Sequence, residues 1–190
     1  ISGDVTWSNS TVYLNEPLLV NGNLTLKNVD LICNAMTNGS VYIEVSASGK
    51  LTVLQNTLIT WNNTGHYNIV VRGNLFLRDS TVENAGCIGW LKGITLFNDG
   101  SDIQNSSFSN CAECIFVSGT SKHLIINNSI CNNRDGILFS YGSTNCTVSN
   151  NNISNNNGAG IIGSVHNSTF VNNIISYNSE GAIMGYQQAS

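Results

Sequence analysis

A repeat of about two dozen residues constrains this chain more than any other feature. Three segments share Gly-x-Leu-x-(Leu/Val): Gly22 to Leu26, Gly49 to Val53 and Gly73 to Leu77. Four later segments keep an apolar residue, a polar residue two positions on and an apolar residue five positions on. In one register the first apolar position is Leu26, Val53, Leu77, Ile103, Ile125, Val148 and Phe170, spaced 27, 24, 26, 22, 23 and 22 residues apart. The second is Leu31, Leu58, Val82, Phe108, Ile130, Ile153 and Ile175. A further apolar strand follows at Ile43, Ile69, Ile94, Ile115, Ile137, Ile161 and Ile183. Short alternating strands at this period, with no helix between them, predict an all-β parallel solenoid of about seven to eight coils. Each strand then pairs with its own copy one coil later.

Composition agrees. Asn numbers 31 of 190 residues, while charged residues make up only 9%. Asn, Ser, Thr and Gly are weak helix formers. The 7 Lys and Arg against 11 Asp and Glu exclude the basic face of a nucleic-acid binder. No apolar run reaches the roughly 18 residues of a membrane span. The chain reads as one domain over residues 1–190: a partial N-terminal coil over 1–21, repeat coils over 22–186 and a tail over 187–190.

The polar position two residues after the first anchor is Asn28, Gln55, Asp79, Asn105, Asn127, Asn150 and Asn172. Strict strand alternation points Leu24, Leu26 and Asn28 inward together. Seven such side chains would stack as an amide ladder, each bonding its copy above and below. Asn also tolerates the left-handed backbone of a tight corner. Nine N-x-S/T sequons occur, at Asn9, Asn23, Asn38, Asn62, Asn105, Asn127, Asn145, Asn152 and Asn167. Asn105 and Asn127, as inward ladder members, are expected to carry no glycan. Asn23, Asn145 and Asn167 share an outer edge and are the expected N-glycan sites.

Six Cys and a first residue Ile1, with no signal segment ahead of it, read as the mature form of an exported protein. Counting from the strand anchors stacks Cys87 on Cys114 and Cys111 on Cys131, predicting those two disulfides. Cys33 and Cys146 lie five coils apart and are expected to be free or available between subunits.

The coil from Val148 to Ile161, with its runs of Asn, resembles the repeat of secreted right-handed parallel β-helix proteins. That family includes pectin-active enzymes, phage tailspikes and archaeal and bacterial surface proteins. Small size, low charge, sequons and cysteines are also similar to archaeal cell-sheath proteins with amyloid-like stacked β structure. The first resemblance implies the fold; one fold serves many functions.

Little chemistry stands out. The paired Asp-Asp, Gly-His-Gly and Arg-x-Lys of polygalacturonase-like enzymes are absent. Asp79, Glu83, Asp99 and Asp102 form the best carboxylate group and read as an acidic turn rather than a catalytic pair. His66, His123 and His166 read as solvent-facing or capped, and no metal or cofactor is expected. The N-terminal stretch and the last coil carry no capping helix, so their strand edges are free to pair head to tail. The expectation is therefore a non-enzymatic, extracellular structural protein, polymerising through its ends into a filament, hoop or sheath. The alternative is a carbohydrate-binding or polysaccharide-active β-helix, with Trp7, Trp61, Trp90, Tyr141 and Tyr177 as stacking platforms and Asp99 and Asp102 as the acids.

Overall fold

The computed structural model describes residues 1–87, 91–181 and the backbone of 183–184. They form a parallel β-solenoid with three faces and no helix among the described residues. Its 22 strands are numbered in chain order. The first face stacks β1 (Asp4–Leu14), β3 (Asn23–Cys33), β5 (Lys50–Leu54), β8 (Asn74–Arg78), β11 (Asp102–Gln104), β14 (Leu124–Ile126), β17 (Thr147–Ser149) and β20 (Thr169–Val171). The second face begins in the far half of β3. It continues through β6 (Leu58–Trp61), β9 (Thr81–Glu83), β12 (Ser107–Ser109), β15 (Ser129–Cys131), β18 (Asn152–Ser154) and β21 (Ile174–Ser176). The third face stacks β2 (Leu18–Val20), β4 (Ile43–Val45), β7 (Ile69–Val71), β10 (Ile94–Leu96), β13 (Glu113–Val117), β16 (Asp135–Thr144), β19 (Ile161–His166) and β22 (Ile183–Met184).

The predicted register holds on the first and third faces. Leu26 pairs with Val53, and the column continues through Leu77, Ile103, Ile125 and Val148 to Phe170. Ile43, Ile69, Ile94, Ile115, Ile137, Ile161 and Ile183 form the third column. Most of these side chains are fully buried. Each contributes about 1.5–3 kcal/mol by leaving water. The second column needs one correction: Leu31 stacks on Ile59, not Leu58. Both Gln55 and Asn56 are left-handed here (φ 54° and 60°), and the extra turn residue delays the next inward position by one.

The amide ladder also falls one residue later than expected. Asn28, Gln55, Asp79, Asn105, Asn127, Asn150 and Asn172 all have positive φ, so they do form the left-handed corner. All seven are exposed, however. A left-handed residue breaks strand alternation, so its side chain stays outside and the next one turns in. The inward column is Val29, Thr57, Ser80, Ser106, Asn128, Asn151 and Asn173. The N–H of Ser106 donates to Asn128 Oδ1 at 3.0 Å, that of Asn128 to Asn151 Oδ1 at 2.8 Å, and that of Asn151 to Asn173 Oδ1 at 3.0 Å. Asn105 and Asn127 are therefore outside the ladder, and all nine sequon asparagines are exposed. Asn23, Asn145 and Asn167 are among them; Asn145 and Asn167 are themselves left-handed corner residues.

Two further corners repeat the device. At the second, Asn84, Asn110, Asn132, Asn155 and Tyr177 are left-handed. They precede inward Ala85, Cys111, Asn133, Asn156 and Asn178. Here Cys111 N–H donates to Asn133 Oδ1, Asn133 N–H to Asn156 Oδ1 and Asn156 N–H to Asn178 Oδ1, at 2.9, 2.9 and 3.0 Å. At the third, Gly100, Lys122, Asn145 and Asn167 precede inward Ser101, His123, Cys146 and Ser168. Interior polar backbone is thereby satisfied by the next layer's side chain.

Candidate functional site

The second corner carries a groove with a charged cluster beside it. Its volume is about 530 Å³, and its lining runs from His66 through Asn110, Asn132 and Arg134 to Asn157 and Glu180. These residues come from six successive layers, so the groove runs along the solenoid axis. Its floor is small: Gly86, Ala112 and Gly158. Gly86 has φ +80°, and a Cβ there would meet the Leu91 backbone. A Cβ on Gly158 would overlap Asp135 Oδ1. Neither glycine has room for a side chain, so the floor stays low.

Beside the groove, four charges share the third-face edge. Glu113 and Asp135 are stacked partners at the start of β13 and β16. Both carboxylates are buried, with 8% of each side chain exposed. Glu113 Oε1 accepts from Lys92 Nζ at 2.7 Å and from Arg134 Nη1 at 3.3 Å. Arg134 Nε lies 3.6 Å from Asp135 Oδ2, and Asp135 Oδ1 accepts the Ala159 N–H at 3.0 Å. Glu113 Oε2 is buried without a hydrogen-bond partner. Arg134 is thus clamped on two sides while its side chain remains 41% exposed at the groove. The carboxylates hold a guanidinium in place; they do not line the groove.

At the other end of the groove the His66 ring stacks on Trp61, with centroids 4.8 Å apart and 22° between planes. His66 Nδ1 lies 3.4 Å from the Asn84 carbonyl.

The chain's C-terminal half, residues 92–190, matches the family described as the right handed beta helix region. This protein belongs to the right-handed β-helix family. No curated protein and no solved structure matches it. Among the described residues of this β-helix, no group of three or more His, Cys, Asp or Glu is placed to hold a metal.

The other expected site residues separate. Asp79 sits exposed on the first corner and Glu83 on the second face. Asp102 on the first face pairs with Arg78 at 2.6 Å. Asp99, in the turn before the third corner, accepts the Ser121 N–H at 2.7 Å, which holds its carboxyl below the usual range. His123, expected outside, is fully buried. Its Nδ1 accepts the Ser101 N–H at 3.2 Å, so Nε2 carries the proton, 2.9 Å from Thr120 Oγ1. Burial lowers its pKa to about 4. Of the aromatic platforms, Trp7 packs on the end of the core, Tyr141 and Tyr177 are exposed on separate coils, and Trp90 lies outside the described residues.

All six cysteines are free thiols. Neither expected disulfide has its partners together. Gly93, not Cys87, stacks on Cys114, because β9 and β10 lie farther apart in sequence than β12 and β13. Cys111 turns inward beneath Asn133, while the Cys131 thiol lies outside, 3.3 Å from Ser154 Oγ. The thiol near Cys111 is Cys114, whose pKa is pushed well above its ordinary value first by burial and then by neighbouring Cys111. Cys33 and Cys146 are buried, so as placed neither offers its sulfur to another chain. Burial pushes the Cys33 thiol up to about 12.

Lys92, Glu113 and Asp135 were legible in principle. Each stands two residues before a third-column isoleucine, namely Ile94, Ile115 and Ile137. Charged residues at one register position of a nearly uncharged chain were the signal.

Proposed function

We propose that this β-helix is a non-enzymatic structural protein of the cell surface whose solenoids stack end to end. One observation carries the reading. Among the described residues, strand β1 is a full 11-residue strand that pairs on one side only, with β3. Its side chains Val5, Trp7 and Val12 continue the core columns of Leu24, Leu26 and Leu31, yet are only partly buried. Unpaired backbone and unfinished core columns on one surface form a template for another layer about 4.8 Å away. At the opposite described end, Phe170 and Ile175 are likewise partly covered. A head-to-tail contact of this kind is heterologous and extends into a filament or closes as a ring. Exposed sequons supply sites for an outer N-glycan coat in an exported protein.

Sedimentation and electron microscopy of the purified chain test it. Polymers should grow with concentration and be lost in Trp7→Lys/Val12→Lys, which puts charge on the open rung. A wild-type chain that stays monomeric at high concentration rejects the proposal.

A further inference from the structure

We infer that the contact between copies is polar and in a fixed register, with the Asn173 N–H of one copy donating to Ser10 Oγ of the next. The inference rests on the end-to-end stacking proposed above and names the residues that meet.

The ladder has a direction. At the first corner each main-chain N–H donates to a side-chain oxygen one layer nearer the C-terminus. The run passes from Ser80 to Ser106, Asn128, Asn151 and Asn173. Each asparagine of the run also turns its Nδ2 back to a carbonyl of the layer before, as Asn173 does to Val148 at 2.8 Å. Asn173 is the last described rung. Its Oδ1 is engaged by Asn151, and its N–H has no acceptor among the described residues.

The first layer carries the matching group. Asn9 is left-handed at φ 51°, like Asn28, and Ser10 pairs with Val29. Ser10 therefore stands on the inward rung, and it is exposed because β1 is the edge layer. Serine already serves as the acceptor on such rungs. The Ser80 N–H donates to Ser106 Oγ at 3.3 Å, and the Cys146 N–H to Ser168 Oγ at 3.0 Å.

Setting Ser10 on Asn173 places the rest of the contact. Trp7 falls on Phe170 and Val12 on Ile175, all four partly covered ends of core columns. Asn9 falls on Asn172, which joins two left-handed corners. A contact between two like ends would leave the Asn173 N–H without an acceptor, so the polymer is polar. The third face stacks eight strands, and each copy then adds roughly 38 Å at the spacing of a β-stack.

The test is the critical concentration for polymer growth, read by sedimentation of single-residue variants of the whole chain. Ser10→Val deletes the acceptor, and Val29 shows that valine fits this rung. Its critical concentration should rise about threefold to tenfold, the worth of one hydrogen bond. Ser10→Asn adds a bond from its Nδ2 to the Phe170 carbonyl of the preceding copy, and should lower the critical concentration by a similar factor. Ser8→Ala, on the outward side of β1, should assemble as wild type. Electron microscopy should show a subunit repeat of roughly 38 Å along the axis. If the wild-type chain stays monomeric, stacking and register fail together. If it polymerises and either Ser10 variant assembles as wild type does, stacking stands and the register is refuted. A repeat of twice that length, from like ends meeting, refutes the polarity.

Discussion

Asn151 Oδ1 accepts the backbone N–H of Asn128, one layer earlier, at 2.8 Å, while Asn151 Nδ2 donates to the Ile125 carbonyl at 2.8 Å. One buried amide thus bonds two main-chain groups, the Asn128 N–H at the corner and the Ile125 carbonyl in β14. The first prediction follows from removing it. Asn151→Ala should destabilise the chain by about 1–3 kcal/mol, since the buried Asn128 N–H loses its acceptor. Its neighbour Asn150 is exposed and left-handed at φ 56°. Asn150→Gly should be nearly silent, and Asn150→Ala should cost about 1–2 kcal/mol of backbone strain. Urea denaturation of the three variants checks the order; equal losses at 150 and 151 would contradict the assigned corner.

Acid should loosen the third corner. His123 is buried and neutral, with its pKa lowered to about 4. In the unfolded chain it titrates near its ordinary value of 6.5. The unfolded state therefore binds the extra proton between these two values. Stability is fully present above about pH 6.5 and falls as pH drops toward 4, by roughly 3 kcal/mol in all. In His123→Asn the melting temperature should fall less over the same interval. An unchanged pH profile in that variant would refute the assignment.

Thiol reactivity should separate one cysteine from five. Cys131 is half-exposed on the second face, and the other five are buried. A maleimide should label about one site per native chain and all six after denaturation. Peptide mapping should find the native label on Cys131. Two disulfides in the mature protein would cut the denatured count to two and refute the free-thiol arrangement.

Gly163 should resist substitution. It has φ +125°, and a Cβ there would meet the Phe139 carbonyl oxygen and carbon. It lies beside the register shift that begins after Phe139, where β16 and β19 slip relative to each other. Gly163→Ala should lower stability by more than about 2 kcal/mol, combining strain and overlap. Calorimetric melting of the variant gives the answer directly.

Much of the architecture was legible because isoleucine, leucine and valine repeat at a fixed period, and burial demands that they stack. The ladder was misplaced by one residue for a reason visible in the same pattern. Leu26 and Leu31 both face inward, yet an offset of five is odd, so alternation must break once between them. Asn28 is that break, not a rung. The groove was harder to see. His66, Arg134 and Glu180 are 68 and 46 residues apart in sequence, and only coiling brings them to one corner. The disulfide pairs failed because counting from anchors ignores the longer connection between β9 and β10 and the inward flip at Cys111.

The three columns of this solenoid join residues one period apart, such as Ile115 with Ile137 and Ile137 with Ile161. Among the described residues, no strand reaches across the molecule to a distant one. Length is therefore not built into the architecture. Excising residues 127–149 would join Ile126 to Asn150 at equivalent register positions and leave a rod one layer shorter with the same three faces. A gene encoding such a chain can grow or shrink by whole periods without inventing a new core.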